Sequence, residues 1–343
     1  MSKWYEDKVC DEDIVISSRV RLARNLKKYP FPDTMNGEQA KNMIEDVKKA
    51  IINERTPLSQ EFEYAEVNSM PAIKKRQLME KHIISPVLVS KSENCGVLIK
   101  KDETVSIMLN EEDHIRIQTI FPGENIDKAW DLADKIDDLI EESIEYAYSE
   151  KYGYITACPT NMGTGLRASF MMHLPFIERA GQMKNVLSAV SKFGATIRGI
   201  YGEGSEALGS IYQVSNQVTM GQSEQEIIKN LKNVVSFVKE QEKKIRESCM
   251  AKEKAEIEDR IYRSLGTLQY ARKISGAEAM KHLSNIREGY ILNLTDIPKT
   301  SETIYNIMIN VQPGNIQLSS GTVNDVNRRD EARAEYLRRI FKS

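Results

Sequence analysis

Two kinds of hydrophobic spacing divide this chain. Residues 15–22 have extended spacing, whereas Met43, Ile44, Val47 and Ile51 predict a helix over 38–52. Residues 95–100 and 105–110 flank a polar Lys101-Asp102-Glu103 turn and predict a hairpin, and residues 114–121 alternate as a further strand. Ile126, Ala129, Trp130, Ala133, Ile136, Ile140, Ile144 and Ala147 mark one stripe of a long amphipathic helix. A short strand over 154–157 then runs into a glycine-bearing loop, a helix from about Leu166, and two more extended runs at 195–201 and 210–219. Hairpins beside helices predict an α+β domain with a mainly antiparallel sheet.

After Gly221 the spacing becomes helical throughout. Ser223 and Glu226 form a capping box ahead of a stripe at Ile227, Ile228, Leu231, Val234, Val235 and Val238. Further helices are predicted over 252–272, 276–287, 300–310 and 324–341. We place the boundary near Arg246, giving domains 1–246 and 247–343.

Composition narrows the function. In 343 residues, 41% hydrophobic, 48 Lys+Arg nearly balance 50 Asp+Glu, so no global basic field exists to hold nucleic acid or an anionic membrane. The start of the chain lacks an apolar leader, and no stretch approaches the roughly 18 apolar residues a spanning helix needs, which predicts a cytoplasmic protein. Cys10, Cys95, Cys158 and Cys249 lie far apart without paired spacing or nearby histidines, so neither a disulfide framework nor a zinc site is expected, and no residue is assigned as a metal ligand.

The candidate chemistry is concentrated before residue 220. Gly163-Thr164-Gly165-Leu166-Arg167-Ala168 is a poor dinucleotide fingerprint, although glycines opening a helix can let backbone N–H groups approach a phosphate. Arg19 and Arg21 share one strand face, and with Arg116, Arg167 and Arg198 they could neutralise a triphosphate. Taken singly, each is better read as an ordinary surface arginine. Asn110-Glu111-Glu112-Asp113-His114 and Arg198-Gly199-Ile200-Tyr201-Gly202-Glu203 place carboxylates in loops, where they either orient a nucleophile or are simply solvated. Cys158 ends a strand before a loop, either as a small buried hydrophobe or as a thiolate beside cationic groups.

Together and in this order, SSRVRLARN, LNEEDHIRI, CPTNMGTGLRAS and RGIYGEGSE resemble the catalytic motifs of the phosphagen (guanidino) kinases, and the whole chain resembles the bacterial protein-arginine kinases of the McsB type. The resemblance implies a glutamine-synthetase-like α+β catalytic domain followed by an all-α domain, with ATP and Mg2+ as donor and a guanidinium as acceptor. It implies ATP contacts from Ser18, Arg19, Val20, Arg21 and Leu22, from His82 beside the adenine, from Arg116, from Arg167, Ala168, Ser169, Phe170 and Met171, and from Arg198, Gly199, Ile200, Tyr201 and Gly202. Glu112 and Glu203 match the carboxylates that hold the acceptor, the spacing to Arg116 selecting Glu112 over Glu111, and Cys158 matches the reactive cysteine.

Small-molecule guanidino kinases carry a helical domain of about a hundred residues ahead of the first motif. Only 16 residues precede Ser17 here, so the acceptor side is expected to be open to arginines on protein surfaces. Arg329-Asp330-Glu331-Ala332-Arg333-Ala334 resembles the phosphoarginine-binding motif of the same kinases: on a helix Arg329 and Arg333 share a face, and Asp330 could accept from a guanidino group. The resemblance further implies a zinc-binding activator protein, a stress-response repressor as substrate, Clp protease machinery that takes marked clients, and a homodimer. A kinase for free arginine and a non-catalytic phosphoarginine-binding adaptor are the alternatives.

Overall fold

A computed structural model describes residues 2–52, 60–201, 207–321 and 325–342. In chain order the elements are α1 (Val9–Glu12), β1 (Val15–Arg24), α2 (Gly37–Ile51), β2 (Phe62–Glu66), α3 (Ala72–Glu80), α4 (Pro86–Ser90), β3 (Gly96–Lys100), β4 (Val105–Leu109), β5 (Ile115–Pro122), α5 (Ile126–Glu141), β6 (Tyr148–Ser149) and β7 (Gly153–Tyr154). They continue with β8 (Leu166–His173), α6 (Pro175–Arg179), α7 (Met183–Ser191), β9 (Ala195–Tyr201), β10 (Ala207–Asn216), α8 (Glu224–Lys252), α9 (Lys254–Tyr270), α10 (Gly276–Ile291), α11 (Ile304–Asn310), α12 (Pro313–Ser320) and α13 (Val326–Phe341).

The principal sheet is eight-stranded in the order β2-β3-β4-β5-β1-β8-β10-β9, and its pairings are antiparallel. The α+β expectation therefore holds, with the all-helical region after it. One face of the sheet is apolar because period-2 alternation puts Val20, Leu22, Ile117, Ala168, Phe170 and Val214 on it. The helical stripes of α2, α5 and α8 cover that face through Met43, Val47, Ala129, Ile136, Leu231 and Val235. Ser223 and Glu226 cap α8 reciprocally, as their spacing predicts.

The other face is divided along the strands. At one end Ile16, Ile120, Met171 and Ile211 join a second core with Trp4, Tyr5 and the helices of the C-terminal region. Further along the same strands the side chains turn polar: Ile120 gives way to Gln118 and Arg116, and Met171 to Ser169 and Arg167. The C-terminal helices thus cover one half of this face and form a wall beside the other half.

Several expectations are corrected. No helix starts near Leu166; the segment is strand β8, paired with β1 and β10, because Leu166, Ala168, Phe170 and Met172 alternate with Arg167, Ser169, Met171 and His173. The phosphate-binding helix end expected after Gly165 falls with it. The glycines serve close packing instead. Gly163 has φ +105, with space for a side chain closed by the Thr219 carbonyl, and Gly165 has φ +65 against Ala23 and Arg24. The long stripe beginning at Ile126 stops at Glu141, short of Ile144 and Ala147, and β7 is shorter than the strand expected over 154–157. α8 runs unbroken past Arg246 to Lys252. Helices α3, α4, α7 and α12 carry too short or too weak a periodicity to be read from the sequence.

Candidate active site

The sheet register assembles the arginines. Arg21 on β1 lies opposite Arg167 on β8, Arg19 opposite Ser169, and Ala23 opposite Arg116 on β5. With neighbouring strands about 4.8 Å apart, this places cationic side chains from three adjacent strands within reach of one ligand. Arg198 joins from β9, opposite Gln213 of β10. A cavity of about 830 Å3 opens over them, lined among others by Arg19, Arg21, Arg116, Arg167, Arg198, His82, Glu112 and Cys158. Gly199 and Ile200 also line it. The expected site residues with described side chains therefore separate into two groups.

The second group does not face the cavity. Ser18, buried, donates to the Gly123 carbonyl at 2.7 Å and accepts from Asn125 N–H at 2.9 Å. Val20, Leu22, Ala168 and Phe170 point into the apolar core behind the sheet, and Met171 into the second core. These residues supply the strands that aim the arginines; Ser169 is the exception, accepting from Arg19 Nε at 3.3 Å. The Tyr201 side chain, Gly202 and Glu203 lie outside the described residues.

The arginine cluster is electrostatically loaded. Burial lowers the Arg21 guanidinium's proton affinity first, and Arg19, Arg116 and Arg167 lower it further. Arg167 is lowered by burial and by Arg198. Arg21 Nε and Arg167 Nε are buried without a hydrogen-bond partner. Unpaired buried donors cost stability, and so many like charges repel one another, so this face is built for a multivalent anion. A polyphosphate fits.

Glu111 and Glu112 part company. Glu111 is fully buried, accepts from Arg116 Nη1 at 2.6 Å and from the Ser85 hydroxyl, and so fixes Arg116 from below. Glu112 accepts from Arg116 Nη2 at 3.1 Å while its side chain stays 38% exposed, at the cavity edge. Of the two, Glu112 can meet an incoming guanidinium. Cys158 Sγ lies 3.0 Å from Thr160 Oγ1, half-buried at the same cavity.

His82 is fixed from the C-terminal region. Its backbone is left-handed at φ +61, its carbonyl accepts from Gln118 Nε2 at 2.7 Å, and its Nε2 lies 3.1 Å from the Tyr305 hydroxyl of α11. Burial and then Arg19 push its pKa down to about 3, so the ring is neutral. Nearby, Glu80 ends α3 and caps α12, accepting from Gly314 N–H at 2.8 Å and Asn315 N–H at 3.0 Å. Gly276, Ala277, Gln312 and Pro313 thereby become cavity wall. Sequence reasoning missed these contributions, as it missed Gln118 and Gln213; only the alternation of β10 signalled the last.

The structure places the residues of the C-terminal motif unequally. Arg333 is 2% exposed and donates to the Val311 carbonyl at 2.8 Å, the Ile274 carbonyl at 2.9 Å and Asp330 at 2.6 Å. Arg329 is only half-buried, one turn earlier on α13. Among the described residues no cluster of His, Cys, Asp and Glu could hold a metal by itself, and no helix is long and apolar enough to cross a membrane.

Known proteins resemble this chain in sequence and fold. Residues 42–245 match the ATP:guanido phosphotransferase C-terminal catalytic domain, and residues 254–343 match the protein-arginine kinase McsB C-terminal domain. A protein-arginine kinase of Caldanaerobacter subterraneus subsp. tengcongensis is 48% identical over 327 residues, 95% of this chain and 96% of that one. The protein-arginine kinase of Bacillus subtilis is 44% identical over 339 residues, 98% of this chain and 93% of its own. Among solved structures, the duplicated taurocyamine kinase of Schistosoma mansoni with bound transition-state-analogue components superposes with a TM-score of 0.61 at 25% identity, over 69% of this chain and 34% of that one. Lombricine kinase shares the fold, with a TM-score of 0.61 at 22% identity over 72% of this chain and 70% of its own. With its two matched regions and full-length relatives, the chain belongs to the ATP:guanido phosphotransferase family and, within it, to the protein-arginine kinases.

Proposed function

We propose that this protein transfers the γ-phosphoryl group of ATP to arginine side chains of protein substrates. The observation that carries the reading is a cavity in which a face of five arginines, with the buried Nε atoms of Arg21 and Arg167 lacking a hydrogen-bond partner, adjoins Glu112 and Cys158. Arg19, Arg21, Arg116, Arg167 and Arg198 bind and orient the phosphates and neutralise charge on the transferring group. Bound Mg2+ would add charge neutralisation across the phosphate oxygens, held by those oxygens and at most one or two carboxylates. A guanidinium is a poor nucleophile with a pKa above about 12, so the acceptor must be held in line and helped to lose a proton. Glu112 does this from one side and Glu203, by the family resemblance, from the other. Cys158 stabilises the cationic acceptor.

The sequence motifs support finer assignments of the same kind. The catalytic unit spans 1–246 and the helical unit 247–343. The helical unit binds phosphoarginine through Arg329, Asp330 and Arg333. Only the Nη2 end of Arg333 is left for a phosphate, and it lies beside Gly276 at the start of α10, on the cavity wall. We further assign a cytoplasmic homodimer that marks proteins for Clp-dependent degradation in the stress response, with a zinc-binding activator and a repressor among its partners.

The test is ADP release with Mg-ATP and, in parallel, an arginine-rich unfolded protein, its lysine-substituted counterpart, or free arginine. Turnover with the first alone supports the reading; turnover with free arginine alone returns the small-molecule alternative.

A further inference from the structure

Asp113 stands between the two groups that meet the acceptor, yet it does not face the cavity. Its side chain is fully buried, and Oδ1 accepts from Asn25 Nδ2 at 2.7 Å and from the Ala157 N–H at 2.7 Å. Asn25 also donates to the Ile155 carbonyl at 3.0 Å and accepts from His114 N–H at 2.9 Å. The segment just after β1, the turn at 110–114 and residues 155–157 are therefore tied at one buried point. Glu112 is one residue from Asp113, and Cys158 is one residue from Ala157.

We propose that Asp113 is a positioning residue that sets the separation of Glu112 and Cys158 across the cavity through its hydrogen bond to Ala157. Among the described residues, this is the hydrogen bond that joins the turn directly to the segment carrying Cys158. Apart from the indirect bridge through Asn25 to the Ile155 carbonyl, bonds holding that segment run elsewhere, from Thr219 Oγ1 to the Thr160 and Met162 carbonyls and from Ile155 N–H to the Ala147 carbonyl. The turn is internally rigid, with Asn110 at φ +57 and its N–H bonded to the His114 carbonyl at 2.9 Å. Displacing Ala157 therefore moves Cys158 relative to Glu112 and leaves Glu112 in place. Stability alone does not account for this acceptor: Oδ2 is buried with no partner, and burial pushes the carboxyl's pKa up.

The proposal rests on the reading that Glu112 and Cys158 act on the guanidinium, and the test separates the two. In Asp113→Ala of the full chain, kcat on an arginine-rich protein falls on the order of 10- to 100-fold, because small misplacements of reacting groups are costly. KM for Mg-ATP stays near wild type, and the iodoacetamide alkylation rate of Cys158 shifts severalfold. Cys10 and Cys95, both buried, stay unreactive and report an intact fold. Asp113→Asn, which keeps an acceptor oxygen for both donors, recovers most of kcat. If Asp113→Ala fails to fold, Asp113→Ser, whose oxygen is too short to reach both donors, carries the same comparison. A folded variant with unchanged kcat and unchanged Cys158 alkylation overturns the proposal. Wild-type turnover in both Glu112→Gln and Cys158→Ala would instead overturn the functional reading, and the alkylation rates would still decide the geometry.

Discussion

Tyr305 of the C-terminal helices reaches across to the catalytic cavity, its hydroxyl 3.1 Å from His82 Nε2. The helix that carries it is fixed in turn by Asp11, which accepts from the Ile304 and Tyr305 N–H groups. The histidine side of the cavity is thus positioned by the C-terminal helices, whereas Arg19, Arg21, Arg116, Arg167 and Arg198 reach it from β1, β5, β8 and β9. Tyr305→Phe should raise KM for ATP severalfold with little change in kcat and cost about 1 kcal/mol of stability. Steady-state kinetics and thermal unfolding check this; an unchanged KM would detach the helical domain from nucleotide binding.

Adjacent carboxylates should behave in opposite ways. Glu111 is buried against Arg116, so Glu111→Gln leaves Arg116 with only the partly exposed Glu112 as carboxylate partner and is expected to cost roughly 1–3 kcal/mol. Glu112 is partly exposed, and Glu112→Gln should leave stability within about 0.5 kcal/mol while lowering turnover by roughly 10²- to 10⁴-fold. Denaturant unfolding beside kinetics on the two variants decides the assignment.

Glu242 gives a pH signature remote from the cavity. It is buried at the start of α6, accepting from Phe176 N–H at 2.9 Å and Ile177 N–H at 2.8 Å. Burial, reinforced by Glu288 and opposed by those two N–H groups, pushes its pKa up to about 7 from an ordinary 4.5. Between these values the folded state holds a proton that the unfolded state has released, so this group's contribution falls as pH rises through the window. Relative to Glu242→Gln, the wild type should lose up to about 3 kcal/mol from pH 4.5 to 7. A pH-independent difference between the two would contradict the burial assigned to this group.

The two arginines of the C-terminal motif should separate as well. Arg333→Ala removes bonds to two carbonyls and to Asp330 inside the helical region, and is expected to destabilise by about 2–4 kcal/mol. Arg329→Ala should leave stability within about 0.5 kcal/mol and weaken phosphoarginine binding. Calorimetric titration with phosphoarginine on the folded Arg329 variant is therefore the cleaner test of the pocket; unchanged affinity would count against it.

Much of this was legible in the sequence, for identifiable reasons. Long amphipathic stripes such as that of α8 announce themselves, and the Ser223–Glu226 box marks where it starts. Arg19 and Arg21 were placed on one face by a period of two, and the register then brought Arg167 opposite Arg21. β8 was misread because glycines in front of it suggested a helix, although its alternation of apolar residues with Arg167 and Ser169 was present. The roles of Glu80, Asp113 and Tyr305 were out of reach. Each depends on a partner far away in the chain, as Glu80 does on Gly314, and no local pattern encodes that distance.

The most direct measurement is to incubate the protein with Mg-ATP and, in parallel, an arginine-rich unfolded protein or free arginine, then map phosphate by mass spectrometry under conditions that spare the acid-labile N–P bond. Phosphate on substrate arginines with the wild type, and its loss in folded Glu112→Gln, is the predicted result. Arginine phosphorylation at the wild-type rate in that variant, or phosphate confined to free arginine, would contradict the account.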